Sequence, residues 1–356
     1  MPGLLSVSAT ETSRDFSASD ASSHSQYRGL SLTRLFGFQQ RSRLVQSEGA
    51  TQSVSAVKNG DMTLAAYMTG RAIICHSIDC EQLPTLRKAN DTVNEARSLL
   101  SLGRSNVYQH LKQSQEPFWR NTFKRLVTKN HPDTAYKTAM AIYMKTGNCG
   151  EHSQVTTALH AGKLTKGESI QAVSGRNLDH AWSEMPQRNG DRLVIDAWAT
   201  GPAILSEDSR FSTSKEARRV TRSLNGGDEA RQFADKVRQH TENIKKDNNI
   251  AKKWRNFHQQ AKQKKMTLDE SHTWSLTPVL SDKFKTKVHT RHERSHVQQT
   301  LRNNQMVVRS GITQRLALAK EIAAVGSARA LGANIQEALE KKDEILQILE
   351  RDILGK

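Results

Sequence analysis

The sequence predicts an α+β fold: a small antiparallel sheet packed on a central helix that begins at Cys149, with extensive helical elaborations before and after it. Three observations carry that prediction. β-type alternation is concentrated in Ser169 to Ser174, Asp179 to Met185 and Arg192 to Trp198. Helical spacing of apolar residues dominates the chain on either side. A helix-start signal, Asn148 with Glu151 three residues on, lies just ahead of the β-patterned stretch.

Taken in order, residues 1–58 read as a disordered Ser-rich segment. Eight of the first 25 residues are serine, with few large apolar groups to offset the entropy of ordering. A helical lead-in fills 59–146. Leu86 to Leu111 carries Val93, Ala96, Leu99, Leu100 and Leu102 near helical spacing, and Pro117 and Pro132 punctuate two further helices. The next helix spans Thr134 to Lys145 and ends before Gly147. A helix over 148–162, stopped by Gly162, and the three β segments make up a core at 147–212. From 213 to 356 a basic helical region is expected. Its last helix, Ile335 to Leu354, repeats apolar residues on one face.

Composition narrows the function classes. The 356 residues are 36% hydrophobic, and no apolar run approaches the roughly 18 residues that span a bilayer, so no transmembrane segment is expected. The start shows no charged-then-apolar signal peptide, and Met1-Pro2 lacks the glycine that myristoylation requires. Three cysteines, Cys75, Cys80 and Cys149, are too few and too odd for a disulfide framework. The net charge of +17 points to an anionic partner or a solvated basic face. The excess concentrates in segment 214–265, with fifteen Lys/Arg and six Asp/Glu, which reads first as a solvated helical face and second as a place in the basic helical region for an anionic ligand or polyphosphate. No helix-turn-helix, zinc-finger or aromatic RNA-binding signature accompanies the charge, which argues against nucleic acid.

Chemistry concentrates in three short runs. Gly147-Asn148-Cys149-Gly150-Glu151-His152 puts a thiol in the first turn of a helix, where the dipole favours an anion and free amide groups can bind an oxyanion. Asp179-His180-Ala181-Trp182-Ser183-Glu184 offers His180 as a base, with Trp182 and Glu184 on the same strand face. Val194-Ile195-Asp196-Ala197-Trp198 offers Asp196 to orient that base. Register decides whether His180 and Asp196 can meet. A two-residue turn at Asn189-Gly190 would pair Ser183 with Asp196 and put the two on opposite faces. A loop over Pro186 to Gly190 pairs Met185 with Asp191 and His180 with Asp196. Pro186 suits a loop start, so that longer loop, or a bulge, is the expectation.

Asn-Cys at a helix start, His-Ala-Trp-x-Glu on one strand and Ile-Asp-Ala-Trp on the next resemble the transglutaminase-like branch of the papain-like fold over residues 147–200. With the Ser-rich start and helical lead-in, the Gly-Asn-Cys-Gly-Glu-His motif resembles type III secreted effectors of plant-pathogenic bacteria in the HopX/AvrPphE family. The resemblance implies a thiol enzyme, cysteine protease or transglutaminase/deamidase, acting on a host protein inside the host cell, in cytoplasm or nucleus. In that reading Cys149 is the nucleophile, His180 the base and Asp196 the orienter. Asn148 is the candidate oxyanion donor besides the Cys149 amide, and Trp182 and Trp198 are supporting residues, Trp198 shielding the site from water. No cofactor or metal is implied.

Competing motifs point elsewhere. His292-Glu293-Arg294-Ser295-His296 spells a zinc-hydrolase signature, but its neighbours Arg291, Gln298 and Gln299 are polar and no third ligand follows. His131-Pro132-Asp133 matches the J-domain tripeptide, though Asp133 reads more simply as a helix cap. Cys75-His76 and Cys80 lack a second ligand pair. A non-enzymatic basic binder of an anionic host partner is the alternative from another class.

Overall fold

The computed structural model describes residues 59–212, 217–290 and 311–355. The segment expected to be disordered (1–58) and the His292–His296 motif lie outside the described residues. The lead-in contains α1 (Asn59–Ile73), α2 (Leu83–Leu99), α3 (Tyr108–Gln113), α4 (Glu116–Thr128) and α5 (Thr134–Met144). The long helical pattern expected over Leu86 to Leu111 is broken: α2 stops at Leu99, and Gly103 takes a φ of 83° in the turn that follows. Leu100 and Val107 are buried through that turn, so their spacing mimicked a continuing helix. Pro117 falls in the first turn of α4, where its missing N–H costs nothing. Asp133 caps α5 by accepting the Ala135 N–H at 2.8 Å and also receives His240 and Lys236, so it is a structural cap.

The core is α+β, as expected. Helix α6 (Cys149–Ala161) packs on an antiparallel sheet of β1 (Ser169–Gly175), β2 (Ala181–Pro186), β3 (Arg192–Ile195), β4 (Ile204–Leu205) and β5 (Arg218–Asn225), in the spatial order β4-β3-β2-β1-β5. Polar bonds fix the helix to β2. The Ser153 hydroxyl donates to Trp182 O at 2.8 Å, Ser183 donates to Ser153 O at 3.1 Å, and Thr157 donates to Ser183 Oγ at 2.9 Å.

Strand β5 corrects the expectation of an all-helical region from 213 onward. Within it only Leu224 is buried, so the two-residue hydrophobic period that betrays a strand is missing. What fixes β5 is pairing with β1, from Ser169 opposite Asn225 to Gly175 opposite Arg218.

The β2–β3 hairpin differs from both anticipated registers. Met185 pairs with Leu193 and Pro186 with Arg192, leaving a loop of Gln187 to Asp191. Gln187 N–H donates to Asp191 O at 2.8 Å, so Pro186 falls in a non-bonded pair, where its missing N–H is not needed by β3. Pro186 is thus the last residue of the strand and not the first of the loop. The loop still has an odd length, so His180 and Asp196 share a face. They sit diagonally across the hairpin, not directly opposite.

Beyond the sheet come α7 (Asp228–Lys246), α8 (Asn248–Gln263), α9 (Asp282–Thr290), α10 (Ile312–Ala330) and α11 (Ile335–Ile348), the last closed by a wider turn at Leu349–Ile353. Helices α7 and α8 turn apolar residues such as Phe233, Val237, Ile244 and Ile250 inward and their basic residues outward. Between α8 and α9 an extended segment returns across the core. Trp274 N–H donates to Asn106 O, Val279 N–H to Thr200 O and Ser281 N–H to Asp208 O, all at 2.8 to 2.9 Å. Helix α1 is buried almost all round and packs against α10 and α11, so the two ends of the described chain share a core. No helix among the described residues is long and apolar enough to cross a membrane.

Tyr67 ties α1 to the sheet. Its hydroxyl donates to Asp208 Oδ2 at 2.7 Å and accepts the Leu205 N–H at 3.1 Å, while Arg71 reaches the same carboxylate at 2.6 Å. Tyr67→Phe leaves the buried Leu205 N–H without its acceptor. It should cost about 1–3 kcal/mol, measured as a lower urea midpoint with an unchanged far-UV circular dichroism spectrum.

Candidate active site

Cys149 is the first residue of α6, and the loop before it is laced onto residues 102–105. Leu102 N–H donates to Lys145 O, Ser105 N–H to Gly147 O, and the Thr146 hydroxyl to Gly103 O. Gly147 is required here: a Cβ would come within 2.3 Å of Glu151 Cβ. Glu151 Oε2 accepts the Asn148 N–H at 2.9 Å, as in a capping box, and its carboxylate also takes Lys124 at 2.9 Å and Arg125 at 3.2 Å. Burial opposes the charge on Glu151, but the two cations hold its carboxyl well below the usual range. The first-turn N–H groups of α6 have no carbonyl four residues back, and the space beside Gly150 is open. Asn148 Oδ1 is engaged by the Ser105 hydroxyl and by Asn121 Nδ2.

His180 lies just ahead of β2. Its Nε2–H donates to Asp196 Oδ2 at 2.7 Å, which leaves Nδ1 as the ring nitrogen available to the thiol, and the Cys149 side chain is near enough to help raise the proton affinity of the ring. Asp196 Oδ1 accepts the backbone N–H groups of Trp198 and Ala199, both at 2.9 Å, so both carboxylate oxygens are satisfied. Trp182, Trp198 and Phe211 box the imidazole, with ring centroids 5.7, 5.0 and 4.3 Å from it. Burial alone would push His180 down, but the Asp196 carboxylate and the Cys149 side chain override it and lift the group to about 9. Asp196 is held below its usual value by the same pairing and by its two N–H donors, against the effect of burial. His152, one turn along α6, is a different case. Burial pushes it down to about 4, and its Nδ1–H is spent on Asn148 O at 2.9 Å, so it stays neutral.

The structure therefore brings Cys149, His180, Asp196, Trp182, Trp198 and Asn148 to one place. It also adds residues that sequence reasoning did not single out. Arg97 and Arg104 bind the carbonyls of the loop after β3: Arg97 those of Asp196, Ala197, Ala199 and Gly201, Arg104 those of Trp198 and Ala199. Burial pushes both guanidinium groups down to about 10, with Asp196 pulling the other way. Glu184, fully buried on β2, accepts Trp182 Nε1–H at 2.8 Å and the Ser212 hydroxyl at 2.5 Å, and lies 3.1 Å from both Arg192 and Arg218. It holds the indole that stacks on His180. Its place on the His180 face of β2 was readable from strand alternation; Phe211 and the arginines carried no comparable signal.

A cleft of about 550 Å³ opens beside Asn148 and Asp179, the residues preceding Cys149 and His180. Helix α4 forms one wall through Phe118, Asn121 and Arg125, and the segment before Trp274 forms the other. Trp274 packs edge-on against Trp198 at 6.3 Å. Cys75 and Cys80 are exposed, and no cluster of three metal-ligating side chains exists among the described residues. No family model, curated protein or solved structure matches the chain.

The sign of the His180 shift sets a pH dependence. A folded-state value raised above the ordinary 6.5 gives stability that is complete below about pH 6.5 and is lost as pH rises through 9. At roughly 1.4 kcal/mol per unit the loss is about 3 kcal/mol. Urea denaturation across that range should show the decline in wild type and a much flatter profile in His180→Gln.

Proposed function

We propose that the chain is a thiol acyl-transfer enzyme with Cys149 as nucleophile, His180 as acid–base and Asp196 as orienter. The observation that supports it best is the buried His180–Asp196 pair reaching the side chain at the head of α6. An isolated core histidine needs no fully satisfied carboxylate, whereas a histidine that accepts a thiol proton is oriented by one, and a raised proton affinity favours the imidazolium that then sits beside the thiolate. His180 takes the thiol proton. The Cys149 sulfur then bonds to a substrate carbonyl carbon, and its oxyanion is met by the first-turn N–H groups of α6. Collapse breaks the carbon–nitrogen bond, and His180 returns the proton to the departing amine. Water or a second amine, deprotonated by His180, attacks the thioester and frees Cys149. The cleft between α4 and the segment before Trp274 is where the substrate chain would lie.

The order of Cys helix, His strand and Asp strand supports a transglutaminase-like variant of the papain-like core. The sequence resemblance extends this to a HopX/AvrPphE-like effector, delivered by a bacterial type III system to modify a plant host protein. Cleavage, glutamine deamidation and cross-linking are alternative fates of one acyl-enzyme.

Two measurements test the reading. Iodoacetamide should alkylate Cys149 at least about tenfold more slowly in His180→Ala at neutral pH, with Cys75 and Cys80 unchanged; equal rates at Cys149 would remove His180 as its base. Mass spectrometry of plant-cell proteins exposed to wild type but not to Cys149→Ala should reveal new termini, deamidated glutamines or cross-links. An unaltered proteome, together with full biological effect of Cys149→Ala, would favour a binding protein for an anionic partner.

A further inference from the structure

A second cavity, of about 400 Å³ and open to solvent at its mouth, is lined by residues of α5, α6, α7, β1 and β5. Its polar lining comes from Thr134, Thr138, Gln154, Thr157 and Arg222, and Phe233 forms part of the wall. A β-bulge aims Arg222. Ala172 pairs with Arg222 while Val173 pairs with Val220, so Thr221 is the extra residue, and its hydroxyl is anchored on Ala172 O at 3.1 Å. The Arg222 guanidinium lies over the Phe233 ring at 3.8 Å, which fixes its plane and leaves its N–H edge for a ligand. No carboxylate lies within ion-pair distance of it among the described residues. Glu229 and Asp133 act on it only from farther away, and Asp133 is already bonded to His240 and Lys236. Burial lowers the proton affinity of Arg222, as befits a cation without a close counter-ion.

The interior has the opposite character. Gln154 Oε1 is buried with no donor. The Thr138 and Thr157 hydroxyls already donate, to Thr134 O and Ser183 Oγ, so toward the cavity they can only accept. A ligand that satisfies both ends carries an anion for the mouth and hydroxyl donors for the interior.

We propose that this cavity binds the phosphate monoester of a small polyol, a sugar or cyclitol phosphate. The phosphate pairs with Arg222 and the Thr134 hydroxyl, and the polyol hydroxyls donate to Gln154 Oε1 and the inner threonines. The volume suits one ring with its phosphate. Because α6 forms the inner wall, the site shares a helix with Cys149 without using any residue of the candidate active site.

Isothermal titration of the full chain with myo-inositol 1-phosphate, inorganic phosphate and myo-inositol tests this. The monophosphate should bind more tightly than phosphate, with no detectable binding of myo-inositol, and Cys149→Ala should bind as wild type does. Arg222→Gln should weaken the monophosphate at least about tenfold. Gln154→Leu should weaken the monophosphate but leave inorganic phosphate unchanged, and Arg219→Gln, at an exposed neighbour, should change neither. Absence of monophosphate binding would overturn the proposal. So would equal losses in Arg219→Gln and Arg222→Gln, which would mark diffuse attraction to a basic chain, or a Gln154→Leu variant that binds like wild type.

Discussion

Keeping the Asp196 carboxylate charged inside the protein is the constraint around which the core is organised. An unpaired ion there would cost several kcal/mol, so each of its oxygens must be met. The hairpin supplies His180 to one oxygen, and the chain itself turns back to give two N–H groups to the other. That turn leaves its own carbonyls unpaired within the chain's local structure, and the partly buried Arg97 and Arg104 receive them. The arginines come from α2 and the turn after it, so the lead-in is bound to the sheet by the same requirement. His180 gains its proton affinity from this arrangement, and the three aromatic rings keep water from weakening it.

Much of this was legible before any coordinates. The helix starting at Cys149, strands β1 to β3 and the shared face of His180 and Asp196 follow from capping, alternation and the parity of a loop. Parity is what the sequence can fix, because a one-residue slip turns every side chain over. A two-residue slide keeps the faces and changes only the partners, which is why Met185 meets Leu193 and not Asp191. Strand β5 was hidden because it buries almost nothing of its own, and the break after α2 because Leu100 and Val107 continue an apolar rhythm without a helix. Arg97, Arg104 and Phe211 were invisible for a different reason. Their roles depend on contacts with segments far off in sequence, and no local spacing marks them.

The basic character of the chain also divides by place. Interior arginines are held by carbonyls and carboxylates in fixed geometry, whereas α7 and α8 turn their cations to solvent in short-range pairs such as Arg238 with Asp235 and Lys245 with Glu242. Such exposed pairs contribute little to stability and are weakened further by salt. Among the described residues, the cations of α7 and α8 are thus a property of the surface, and the core rests on the few cations that are not on it.

The extended segment through Trp274 has a consequence for the order in which the protein is made. The hairpin bearing His180 and Asp196 needs only a short loop to close, but Trp274 reaches Trp198 and Asn106 from far along the chain, after α7 and α8. Contacts that close such long loops are paid for in chain entropy before they return anything, so they form late. A growing polypeptide can therefore hold its Cys–His–Asp side chains close together while one wall of the neighbouring cleft is still missing. The wall through Trp274 is thus a late addition to the Cys149 neighbourhood, and a nascent or truncated copy would leave the cleft beside Asn148 open on that side.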